Sequence, residues 1–103
     1  MLSEQKIAKA RENFLLAAKD FGFVFHSPFP LTDDLTAFGY IENYGSENGA
    51  VVCLSSSDCP SDPNIFAWCE QNHYFCSFIN VEVISEEYER SYFREMLRDW
   101  GRF

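Results

Sequence analysis

The chain has 103 residues, and 17% of them are aromatic, including eleven Phe. Sixteen acids against eight bases give a formal charge of −8, which disfavours nucleic acid and anionic membranes as partners. Rings bury much area per residue, so an acid-rich disordered chain is excluded and residues 1–103 are expected to fold as a single domain.

Residues 3–21 read as an amphipathic helix. Ser3 suits the N-cap, and Ile7, Ala10, Phe14, Ala17, Ala18 and Phe21 recur at helical spacing, with Gly22 as the stop. Lys6, Lys9, Glu12 and Asn13 fall on the other side and are expected to face water. This segment carries charges throughout, unlike a secretory leader, and nothing approaches the ~18 apolar residues of a membrane span. The expected location is therefore the cytoplasm, with no membrane partner.

Residues 23–26 are a short strand candidate, closed by Ser27-Pro28-Phe29-Pro30. Thr32-Asp33-Asp34 has the chemistry of a helix start, and any such helix is short because Gly39 and Tyr40-Ile41 follow. Residues 36–44 fit a strand equally well, and periodicity alone does not choose. Asn48-Gly49 signals a hairpin, after which residues 50–54 form a nearly unbroken apolar run, as a central strand does. Asp62-Pro63 opens a short helix that turns Ile65, Phe66, Trp68 and Cys69 inward.

Residues 74–84 are the longest strand candidate. Residues 85–100 are the final helix, with Tyr88, Tyr92, Phe93, Met96, Leu97 and Trp100 as a broad apolar face. The expected architecture is α+β in the order α-β-β-β-α-β-α. It has an antiparallel or mixed sheet of about four strands, packed by the N- and C-terminal helices.

Specific chemical motifs are scarce. Arg90, Arg94, Arg98 and Arg102 form an exposed column, expected to be a solvated face with Glu86 pairing to Arg90, the alternative being an anion contact. Cys69, His73 and Cys76 form C-x3-H-x2-C, with Cys53 and Cys59 nearby. Zinc sites prefer close pairs such as C-x2-C, and none occurs, so these cysteines are expected to be reduced core thiols with no metal or cofactor. Asp33-Asp34 and Asp58 with Asp62 lack the spacing of a calcium loop. Gly45-Ser46-Glu47-Asn48-Gly49 is not G-x-S-x-G, and neither His26 nor His73 sits in a catalytic signature. No enzyme is expected.

The charge pattern is the informative feature. Between Lys19 and Arg90 there is no base, while twelve acids fall in that interval. Dispersed carboxylates often serve only solubility. Here, however, all eight bases are confined to the two terminal segments, so packing of those helices on one face would leave the other uniformly negative. Acids for steering and aromatic anchors suit a protein that captures a basic partner.

The expected function is a non-enzymatic, cytoplasmic binding protein, a monomer or homodimer, that neutralises a basic protein. The class is that of a bacterial immunity protein or antitoxin blocking a nuclease toxin. Asp33, Asp34, Glu42, Glu47, Asp58, Asp62 and Glu70 would face Lys and Arg of the partner, with Tyr40, Tyr44 or Trp68 as anchors. The alternative is a small-molecule-binding or regulatory domain with an aromatic pocket.

Overall fold

The computed structural model describes residues 2–25, 37–40, 46–60 and 62–100. Among them the order is α1 (Leu2–Asp20), β1 (Ala37–Tyr40), β2 (Ala50–Ser55), α2 (Pro63–Asn72), β3 (Phe75–Asn80) and α3 (Glu89–Trp100). Two 3-10 turns, Val81–Val83 and Glu86–Tyr88, join β3 to α3.

The centre is β2, where residues 50–54 are wholly buried. Its side chains alternate between two faces. Ala50, Val52 and Leu54 point to a core shared with α1 and α3, whereas Val51 and Cys53 meet Ile65 and Cys69 of α2. The molecule is thus layered, with α1 and α3 on one face of the sheet and α2 on the other. β3 runs parallel to β2 from Ala50↔Phe75 to Ser55↔Asn80, and β1 lies antiparallel on the opposite side of β2.

This corrects the expected order and sheet. The described strands number three, not about four, and the longer pairing is the parallel one built by the β2-α2-β3 crossover. Residues 23–25 form no strand. Instead the Phe25 ring lies edge-on to Phe14 at 5.0 Å and 6.2 Å from Trp100, so it plugs the gap between α1 and α3. β3 is shorter than expected because the Asn80 side chain accepts from the Glu82 N–H at 2.9 Å and starts a 3-10 turn. The Asn48-Gly49 pair makes no tight hairpin. Asn48 instead donates through its backbone to the His73 carbonyl at 2.7 Å and through Nδ2 to the Asn72 carbonyl at 2.9 Å, satisfying the end of α2. The helix start expected at Thr32-Asp33-Asp34 lies outside the described residues.

Helix α1 buries Ile7, Ala10, Phe14, Ala17 and Ala18, and Gly22 ends the segment at φ 79°, the left-handed region. Phe21 is exposed, contrary to its place on the expected stripe. Helix α3 buries a stripe of Glu89, Phe93, Leu97 and Trp100, while Tyr88 and Tyr92 are exposed. The 3-10 turn at Glu86–Tyr88 breaks the α-helical phase, so the apolar face is narrower than a continuous helix would give.

Glu89 is the carboxylate in this stripe. Its Oε2 accepts from Asn13 Nδ2 at 3.3 Å, Lys6 Nζ stands 4.0 Å from Oε1, and Lys6 also donates to the Ile84 carbonyl at 3.3 Å. Lys6 and Asn13 therefore turn partly inward instead of facing water. Burial holds the Glu89 pKa above the ordinary 4.5, with Asn13, Lys6 and Lys9 opposing and nearby Glu86 adding to the rise. The folded state then binds more protons than the unfolded state between the two values. Stability from this group is full below about 4.5 and is lost as pH rises through the folded value. In Glu89→Gln, thermal melts from pH 4.5 upward should show a flatter dependence on pH than the wild type. An unchanged slope would assign the pH dependence to other groups.

Candidate partner-binding surface

Layering sorts the charge. Lys6, Lys9, Arg11 and Lys19 belong to α1, and Arg90, Arg94 and Arg98 to α3, so these seven bases share one side of the sheet. Residues 46–60 and 62–88, including all of α2 and β3, contain no Lys or Arg. Arg90 and Arg94 converge on Asp20 Oδ2 at 3.3 and 3.4 Å, and Arg94 also lies 5.9 Å from the Phe21 ring centre. Asp20, at the end of α1, and not Glu86, is thus the ion-pair partner of Arg90 and Arg94. A shared carboxylate offsets the like-charge repulsion along the column, though such half-exposed pairs contribute only about 0–1 kcal/mol.

The expected site residues among those described divide into two groups. Asp58 is exposed in the loop after β2, and Asp62 follows as the N-cap of α2, accepting from the Asn64 N–H at 2.9 Å. Glu70 is exposed in the last turns of the same helix, and Glu47 is half-buried before β2. Asp58 and Asp62 therefore lie at the start of α2, and Glu47 and Glu70 towards its end. Trp68 is half-buried, packs on the small core under α2 and lies 5.0 Å from the Tyr74 ring. Tyr40 is in β1, while Asp33, Asp34, Glu42 and Tyr44 lie outside the described residues.

Two residues of this surface, Glu82 and Phe78, escaped the reading of the sequence. Glu82 sits beside Asp58, and its Oε1 accepts from both the Ser57 hydroxyl at 2.7 Å and the Ser57 N–H at 3.0 Å. Those hydrogen bonds, with a smaller contribution from Lys6 of α1, hold its pKa below the ordinary carboxylate value. Phe66, expected to turn inward, is 52% exposed, and Phe78 of β3 is 46% exposed, with ring centres 6.3 Å apart. The helical wheel carries the missing signal: Ile65 and Cys69 define the buried stripe, and Phe66 stands about 100° from Ile65.

The cysteines are free thiols. Cys53 and Cys69 are buried beneath α2 with Cys76 packed against them, whereas His73 is exposed in the left-handed C-cap of α2 at φ 60°. The Cys69 thiol is held protonated first by its hydrogen bond to Cys76 and then by burial. Cys76 is pushed up to about 12, chiefly by its own hydrogen bond to Cys53. Among the described residues, no group of three or more His, Cys, Asp or Glu is arranged to hold a metal ion. Thiols held in this state are poor nucleophiles. Native protein at pH 8 should alkylate at Cys69 and Cys76 at least about a hundredfold more slowly than unfolded protein, as read by mass spectrometry. Equal rates would contradict the hydrogen-bonded cluster.

A surface cavity of about 450 Å³ is bounded by Ala67, Glu70 and Gln71, and another of about 500 Å³ by Phe21, Ser91, Arg94, Glu95 and Arg98. The described lining of the first has no ring, and that of the second has one, Phe21. Among the described residues, no helix is long and apolar enough to cross a membrane. No protein-family model, curated protein or solved structure matches this chain.

Proposed function

We propose that this protein is a non-enzymatic binding protein that captures and neutralises a basic protein partner, in the manner of an immunity protein or antitoxin covering the nucleic-acid-facing surface of a toxin. The observation that carries the reading is the separation of charge across the sheet: bases on α1 and α3, none on the described residues between Lys19 and Arg90. A face of one sign steers an oppositely charged partner and accelerates encounter. Exposed Phe66 and Phe78, lying within that face, supply apolar contact area.

Asp58, Glu70 and Glu82 are the acids to alter, because all three are exposed and none caps a helix. The partner is first recovered from source-cell lysate at low salt and then purified. Joint reversal to lysine (D58K, E70K and E82K) should slow its association at least about tenfold and weaken the dependence of the rate on salt. Unchanged kinetics, or an acidic partner in the eluate, would contradict the reading.

A further inference from the structure

The order β1-β2-β3 leaves one long side of β3 turned away from the sheet. The Phe75 N–H donates to the Gly49 carbonyl at 2.9 Å, and parallel pairing repeats that orientation at Ser77 and Ile79. The backbone groups of Cys76 and Phe78 therefore point outward, where they meet no backbone partner among the described residues. Natural edge strands are commonly blunted by lysine, proline or inward-pointing charge. β3 reads Phe-Cys-Ser-Phe-Ile-Asn and has none of these. Rings flank the edge on both faces of the sheet: Phe78 with Phe66 on the α2 side, and half-exposed Phe75 against Trp100 at 6.0 Å on the α3 side.

The geometry points to the outer edge of β3 as a docking line for an extended segment of a basic protein, which adds as a further strand and lays apolar side chains on Phe66 and Phe78. This deepens the proposed function and rests on it. Main-chain hydrogen bonds to Cys76 and Phe78 supply pairing, and the rings supply side-chain contact. Charge decides the occupant. Asp62, the N-cap of α2, and Glu70 stand four residues either side of Phe66, the ring that meets Phe78, and Glu82 follows β3, so a second copy of a chain of charge −8 would bring like charge to that row. A strand flanked by lysines meets complementary charge instead.

The test uses the full chain and three blocked peptides. The first is Lys-Lys-Val-Tyr-Val-Thr-Val-Lys-Lys, the second carries N-methyl groups on alternate backbone nitrogens, and the third has Glu for every Lys. Amide exchange by NMR should show protection at Cys76 and Phe78 on adding the first peptide. N-methylation and the Glu exchange should each weaken binding about tenfold or more. The variant F78S, with an unaltered melting temperature, should weaken it similarly.

If the lysine peptide outbinds the glutamate peptide but leaves Cys76 and Phe78 unprotected, the edge proposal falls and the electrostatic reading stands. If the two peptides bind alike, the charge reading itself fails. Protection without peptide, rising with protein concentration alongside a dimer in sedimentation, would make the occupant a second copy and overturn the proposal.

Discussion

The structure depends on β2 being buried on both faces. Residues 50–54 carry no charge and no exposed surface, and a strand of this kind is stable only between two covering layers. α1 and α3 cover one side through Phe14, Phe93 and Leu97, and α2 covers the other through Ile65 and Cys69. The charge separation follows from that arrangement. The described bases lie in α1 and α3, so placing these two helices together on one side makes the sheet a boundary between a side holding bases and a side without them. The edge follows as well, since β3 shields one flank of β2 and its own outer flank meets no further strand among the described residues.

Much of this was legible in the residues, and the failures have physical causes. The α1 stripe from Ile7 to Ala18, the Gly22 stop and the Asp62-Pro63 start of α2 are local chemistry, and each forms where the residues place it. The parallel pairing was not read, although the unbroken apolar run in β2 is its usual signature. Residues 23–25 have strand composition, yet their rings are worth more as filling between helices than as a ladder. Glu89 was missed as a core residue because its charge argued for the surface, while its phase, four residues before Phe93 and eight before Leu97, argued for the interior. Phase won, and Lys6 and Asn13 turned inward to meet the carboxylate.

The candidate surface was half legible. Its acids were visible by count, but which of them are exposed depends on tertiary placement. Asp62 serves the helix as a cap, and Glu82 is fixed by Ser57 and so keeps its charge below the usual carboxylate range. The apolar element was misjudged: Trp68 is partly occupied by Tyr74 and the small core, whereas Phe66 and Phe78 present their rings to solvent. A neutral, ring-flanked strand edge amid carboxylates joins two kinds of recognition. Long-range charge governs approach, and short-range backbone pairing governs fit.

The most direct measurement of the central claim is where a simple polycation lands. Isotope-labelled protein would be titrated with a short oligolysine, and backbone amide shifts followed by NMR at low salt and again at 0.5 M. Shifts concentrated in residues 57–82, fading as salt rises, are the predicted result. Shifts spread evenly over α1, α2 and α3, or centred on the Asp20 end of α1, would show that charge is not sorted by the sheet in solution and would contradict the account.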